Sequence, residues 1–185
     1  MNTTFCKDVS FDLETLALTA DATILSVAAV NFDMTTGNIG RMLYTTVEYK
    51  NQERFVDINT FNWWKKQNPV LRKEVFGGTR ALKEVLEELN KFIRPNQMVW
   101  GNGANFDIAI LEHAYKHVIN FKTPWKFWNG RDMRTRIKDA EQLAGFKPKA
   151  MPFEGRKHRA LDDAVHQAKV ISAAYQALYN KIQGH

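Results

Sequence analysis

Asp12 and Glu14 stand two positions apart in the segment FDLET. On an extended strand that spacing turns both carboxylates to one face of a sheet. Two acids in one small volume repel each other unless a cation neutralises them, and hard oxygen donors of this kind suit Mg²⁺ or Mn²⁺. D-x-E is also common where a strand end simply reaches solvent. Asp107 lies in GNGANFDIAIL, in the first turn of an expected helix, where the helix dipole favours any carboxylate. His158 and Asp163 lie in HRALDDA, at the start of the last expected helix, where a lone histidine is more often structural or exposed than catalytic. Each motif alone has a bland explanation. Together they fit one chemistry, because two-metal phosphoryl hydrolysis needs several carboxylates to hold ions about 3.5–4 Å apart and a base for the attacking water. An imidazole, with its ordinary pKa of ~6.5, is neutral near pH 7 and can take that proton, so His158 is the expected base.

These groups need a scaffold that brings distant segments together. The N-terminal part of the chain predicts three strands, Val9 to Leu13, Ala22 to Phe32 and Met42 to Tyr49, joined by short turns and therefore antiparallel. After residue 58 the period becomes helical, with Asn59 and Asn68 as expected caps and Pro69 at a first helical position. Thr79 opens a longer segment in which Leu82, Val85, Leu86, Leu89, Phe92 and Ile93 form an apolar stripe that Pro95 ends. Met98 to Gly101 predicts a strand feeding a helix from Asn105 with Ile108, Leu111, Tyr115 and Val118 on one face. Residues 119–131 are aromatic and irregular, 132–145 are expected to be helical up to Gly145, and 147–157 form a loop with Pro148, Pro152 and Gly155. Leu161, Ala164, Val165, Ala168, Ile171, Tyr175 and Leu178 mark the last helix. One α/β domain over residues 1–185 is the economical expectation.

The composition is that of an ordinary globular chain: 185 residues, 44% hydrophobic, one cysteine (Cys6), net charge +6 and pI near 9.4. A single cysteine excludes a disulfide framework and a Cys-based zinc site and suits a reducing compartment, so cytoplasm is expected. No apolar run approaches the ~18 residues of a membrane span, and the start MNTTFCKDVSFD lacks a signal peptide's apolar stretch. The positive balance favours polyanionic partners. Its cations concentrate over residues 131–159, including Arg131, Arg134, Arg136, Arg156, Lys157 and Arg159.

The order D-x-E, then F-D at a helix start, then H-x-A-x-x-D-A resembles the DEDDh exonucleases of the ribonuclease H-like fold. NWWKKQNPVLRKEVF at 62–76 and PWKFWNGRDMRTRI at 124–137 resemble, more narrowly, exonuclease A of tailed phages and the related short bacterial exoribonucleases. The resemblance implies a three-layer α/β/α domain with a mixed sheet, antiparallel in its first three strands and then parallel. It implies two Mg²⁺ ions, replaceable by Mn²⁺, on Asp12, Glu14, Asp107 and Asp163. His158 would activate water, and Glu14 would also touch the terminal 3′-OH. Two departures stand out: Asn102 and Gly103 replace the His-Asn that often precedes the second motif, and Asp162 sits beside Asp163, so only spacing from His158 selects the ligand.

Trp63 and Trp64 are candidates to stack on unpaired bases, although adjacent tryptophans on a helix cannot both face one core. Gln67, one turn on, is a weaker candidate for a base or sugar contact, and Arg134, Arg156 and Arg159 are candidates for phosphates. Trp125, Phe127 and Trp128 are expected to form a hydrophobic cluster over the sheet, and Asp132 to orient its loop. The expected activity is release of nucleoside monophosphates from single-stranded 3′ ends, DNA slightly favoured over RNA, in a bacterial cell or a phage-infected host. A homodimer is expected from the resemblance alone, and no protein partner is legible. The competing expectations are an exoribonuclease, an endonuclease, and a binding module that has lost catalysis.

Overall fold

The computed structural model describes residues 6–103 and 105–184. Three antiparallel strands come first: β1 (Asp8–Thr15), β2 (Ile24–Phe32) and β3 (Ile39–Thr46). Helices α1 (Ile58–Lys65), α2 (Pro69–Phe76) and α3 (Leu82–Phe92) follow, then β4 (Met98–Gly101), α4 (Asp107–Val118), β5 (Gly130–Asp132), α5 (Met133–Ala144) and α6 (Ala160–Gln183). The sheet order is β3-β2-β1-β4-β5, with β4 parallel to both β1 and β5. This is the expected mixed α/β sheet, antiparallel first and parallel afterwards.

Alternation along β1 decides what the sheet's two faces do. Val9, Phe11 and Leu13 enter a core with Leu82, Val85, Leu86 and Leu89 of α3 and Ile108, Ile110, Leu111 and Tyr115 of α4. The intervening residues face the other layer, where Gln167 of α6 reaches Asp12. Helix α6 lies close to that face because its contact residues are small: Ala160 and Ala164 pack on Ala28 and Val30 of β2. Ala168 and Ile171, one and two turns on, meet Phe32 and Trp100.

Several expected element ends shift, each for a local reason. Asp57, not Asn59, caps α1, because its carboxylate accepts the N–H groups of Asn59 and Thr60. Asn68 caps α2 with Pro69 in the first turn, as expected. Helix α3 begins at Leu82 rather than Thr79, since Arg80 is held extended against the end of β3: its carbonyl accepts the Glu48 N–H at 2.8 Å. Strand β5 had no signal in the sequence, being three residues long and too short to alternate. Asp132 caps α5 by accepting from the N–H and hydroxyl of Thr135, and Gly145 closes that helix with φ +66°. Among the described residues no helix is long and apolar enough to cross a membrane.

The expected aromatic cluster of residues 125–128 needs correction. Trp125 is buried against Phe11 and Tyr115, but Phe127 and Trp128 are 80% and 58% exposed. The chain turns there to enter β5, with Asn129 pinned by its amide to the carbonyls of Pro95 and Gln97, which leaves the two neighbouring rings outside the core. Trp125→Ala is therefore expected to cost about 3–5 kcal/mol in urea unfolding, and Phe127→Ala no more than about 0.5 kcal/mol; equal losses would contradict this packing.

Candidate active site

The sheet places Asp12 and Glu14 on one face near the end of β1, opposite Ala28 and Ser26 of β2. Strand β4 pairs with β1 only through Asp8–Ser10 and Met98–Trp100, so β1 runs on past its neighbour. Asp107 fills the gap. After Gly101 the chain turns into α4 and Asp107 Oδ1 accepts the N–H of Leu13 at 3.2 Å, while Oδ2 accepts that of Asn102 at 3.1 Å. Leu13 is the residue between Asp12 and Glu14, so this bond ties the second motif to the first. A Cβ at Gly101 would stand 3.2 Å from Asp107 Oδ2, so any larger residue at the strand end would press on this carboxyl.

Helix α6 supplies the third motif. One carboxylate oxygen each from Asp12, Glu14 and Asp163 lie within 4.8 Å of one another. Asp107 is outside that tight trio, with both oxygens engaged by backbone, yet its charge acts on Asp12 and Glu14. Asp162 faces away: it accepts the Arg156 N–H at 2.8 Å and an Arg159 guanidinium contact at 3.0 Å. Spacing from His158 and tertiary geometry thus select the same member of the pair.

Burial is the main force on every carboxyl of this set. It pushes Asp107 up to about 7, against the lowering pull of backbone N–H groups and Arg134. Asp12 and Glu14 are held well above the usual carboxylate range, first by burial and then by the charges of their acidic neighbours. Asp163 is raised by burial and eased down by the backbone N–H and charge of His158. Four acids held this way, all hard oxygen donors, form a site that a divalent cation would relieve.

His158 is exposed and adopts φ +63°, a left-handed conformation that side chains rarely take. Its ring meets that of Trp63 edge-on, with centroids 5.1 Å apart. Arg156 and Arg159 hold the loop on either side by pairing with Glu74 of α2 at 2.7 and 2.9 Å, and Tyr44 donates to the same carboxylate at 2.9 Å. Gly155, at φ +104°, lies so close to the Asp162 carboxyl that a Cβ there would come within 2.6 Å of it.

The remaining candidates separate cleanly. Trp63 is 40% exposed beside His158, whereas Trp64 is 1% exposed. The Trp64 indole N–H donates to the Thr15 carbonyl at 2.9 Å, anchoring α1 to the end of β1. Its ring presents no open face to a base, which corrects the expectation of stacking there. The Gln67 amide donates to the Trp63 carbonyl at 3.2 Å within the helix end. Arg134 donates to the Asn102 side chain at 3.1 Å, beside the Asp107 turn. One contact went unread in the sequence: Gln167, buried on α6, donates to Asp12 Oδ1 at 2.6 Å. Its signal was its place one turn after Asp163, between Ala164 and Ala168 on the sheet-facing side of the helix.

The chain is similar in sequence and fold to known proteins. The family model described as the 3′-5′ exoribonuclease Rv2179c-like domain matches residues 7–175, a span that includes all five residues of the three motifs. An exodeoxyribonuclease of Enterobacteria phage T4 is 26% identical over 159 residues, covering 70% of each chain. Among solved structures, cell-death related nuclease 4 (CRN-4) superposes with a TM-score of 0.67 at 14% identity. That alignment covers 91% of this chain but spans only 63% of that protein. S. pombe Pop2p, solved with Mg²⁺ and Mn²⁺, gives 0.65 at 12% identity, covering 95% and 85% of the two chains. The nuclease domain of 3′hExo, a DEDDh member bound to rAMP, gives 0.61 at 12% identity, covering 91% and 92%. The structural likenesses show the ribonuclease H-like fold. Because the family match runs unbroken from β1, which carries Asp12 and Glu14, into α6, which carries Asp163, the chain belongs to the 3′-5′ exoribonuclease Rv2179c-like domain family.

Proposed function

We propose that this chain is a metal-dependent DEDDh 3′-to-5′ exonuclease that releases nucleoside monophosphates from single-stranded 3′ ends. The observation that carries it is the gathering of Asp12, Glu14 and Asp163 within 4.8 Å, beside Asp107, with burial raising all four carboxyls. Asp12, Glu14, Asp107 and Asp163 would hold two Mg²⁺ ions, with Mn²⁺ able to replace them. Bound there, the ions supply charge to oppose the phosphodiester and acidity to a coordinated water. His158, exposed next to the cluster, takes the proton of the attacking water. Trp63 offers a ring face for a base near His158, and Glu14 an oxygen for the terminal 3′-OH. Arg134, beside the Asp107 turn, would meet a phosphate. Arg156 and Arg159, already paired with Glu74, act on the substrate mainly by fixing the loop that carries His158. DNA is the first substrate of this proposal; RNA is the second, favoured by the description of the matched family. The setting proposed is the cytoplasm of a bacterium or of a phage-infected cell.

Mononucleotide release from 3′-labelled single-stranded DNA and RNA of matched sequence tests the proposal. It is expected with Mg²⁺ or Mn²⁺ and not with EDTA, and His158→Ala is expected to lose about 10²–10⁴-fold in kcat with the fold intact. Binding without cleavage under either metal would leave only the binding-module alternative.

Stability should report the metal independently of turnover. A carboxyl whose folded pKa is raised keeps more protons in the folded than in the unfolded chain, so its contribution is complete below the unfolded value and is lost as pH rises. For Asp107 that window runs from 3.8 to about 7, and the raised Asp12 and Glu14 act with the same sign. The metal-free protein is thus expected to lose thermal stability across this range. Mg²⁺ is expected to raise Tm more at pH 8 than at pH 5.5, because binding must displace those protons. A Tm indifferent to Mg²⁺ at both pH values would refute the metal site.

Gln167 is a positioning residue for Asp12, acting through the 2.6 Å bond to Oδ1. Gln167→Ala is expected to shift the Mg²⁺ concentration for half-maximal activity up by about 10–100-fold, with kcat restored at saturating metal. An unchanged metal dependence would remove that role.

A further inference from the structure

Beside α1 and α2, away from the carboxylates, lies a cleft of about 360 Å³, within the ~300–1,000 Å³ of small-ligand pockets. Three rings line it, Tyr49, Phe61 and Phe76, together with three cations, Lys65, Arg72 and Lys73. The rings are only partly buried. Phe76 meets Tyr49 edge-on at 5.3 Å and Phe61 at 6.1 Å, so the rings present differently oriented walls. Lys65 Nζ sits 4.8 Å from the centre of the Phe61 ring, and Arg72 is fixed by donating to the Lys65 carbonyl at 2.5 Å. Among the described residues none of the three cations has a carboxylate within 4.0 Å, in contrast to Arg156 and Arg159. Their charge is available to a ligand.

A chain of packed rings, with Trp64 buried in its middle, links the wall of the cleft to the active site. Phe76 touches Trp64 at 5.9 Å, Trp64 touches Trp63 at 5.1 Å, and Trp63 touches His158 at 5.1 Å. Rings alone would take any apolar group, and cations alone any anion. Rings and unpaired cations at one opening match a planar base joined to a phosphate.

We propose that this cleft is a second subsite that holds one nucleotide of the substrate strand on the 5′ side of the scissile bond, its base against the rings and its phosphate with Lys65 and Lys73. The proposal rests on the exonuclease function above: with the 3′ terminus at the carboxylates, only the 5′ remainder of the strand is free to reach α1 and α2. The contact tolerates any base, since every base offers a π-face. It makes longer strands better substrates without touching the reacting atoms.

The test is KM against strand length, from dinucleotides upward, for the wild type and for the double variant Lys65→Ala/Lys73→Ala, whose side chains lie outside the core. Wild-type KM is expected to fall once the strand is long enough to reach the cleft. The double variant is expected to lose that fall, about tenfold for long strands, and to reduce the logarithmic salt dependence of KM by about one, with dinucleotide kcat and KM unchanged. The same length dependence in both proteins would overturn the proposal. A titration in EDTA keeps this separate from the failure of the exonuclease function. There 5′-AMP is expected to shift the ring resonances of Phe61 and Phe76 at lower concentration than adenosine or inorganic phosphate, and to lose that advantage in the double variant. Rings unmoved by 5′-AMP, or phosphate acting as well as 5′-AMP, would overturn the nucleotide subsite whether or not any strand is cleaved.

Discussion

Four carboxyl groups crowded and desolvated where β1 outruns β4 are the constraint that shapes this molecule. Each would be more comfortable in water: burial raises every one of them, and repulsion from acidic neighbours in the set adds to it at Asp12 and Glu14. A fold retains such a cluster only if surrounding structure over-determines it. Here the supports are specific: Leu13 and Asn102 N–H groups for Asp107, the Gln167 amide for Asp12, the His158 N–H for Asp163. The arrangement makes little sense for an isolated protein and much sense for one that binds a divalent cation, because the strain is released by the ligand.

The same cluster explains the unusual intimacy of α6 with the sheet. Asp163 and Gln167 are short of reach, so the helix must lie close, and Ala160 and Ala164 on Ala28 and Val30 permit that. On the other face of the sheet only the first residue of α4, Asp107, meets such a demand. There α3 and α4 are held off by leucines, isoleucines and aromatic rings that fill a conventional core. The asymmetry between the two layers is thus a consequence of where the chemistry sits.

The His158 loop is held by electrostatics rather than by burial. A histidine in the left-handed region costs on the order of 1–3 kcal/mol, and the loop around it has little apolar surface to offset this. Glu74 stands at the centre of the restraint, accepting from Arg156, Arg159 and Tyr44, and its carboxyl is lowered by those partners despite partial burial. Asp162 completes it through the Arg156 N–H and the Arg159 guanidinium. Residues that look in the sequence like phosphate ligands therefore serve first to set His158 beside the acids.

The sequence by itself determined the alternating face of β1, the helix start at Asn68, the stop at Gly145 and the apolar stripe of α3, because periodicity, caps and glycine act over a few neighbouring residues. It also supplied the residue types of the site, since D-x-E and the His158–Asp163 spacing are local facts about a strand and a helix turn. Tertiary structure decided what depends on distant partners. It chose between Trp63 and Trp64, because only one of them can reach the Thr15 carbonyl while the other faces His158. It paired Arg156 and Arg159 with Glu74, more than 80 positions earlier in the chain, and exposed Phe127 and Trp128 where an apolar cluster was expected. It also brought Gln167 to Asp12 across 155 positions. No local rule encodes such pairings: they arise when long-range packing fixes which side chains share a volume, and the free energy of burying or satisfying each group is settled only there.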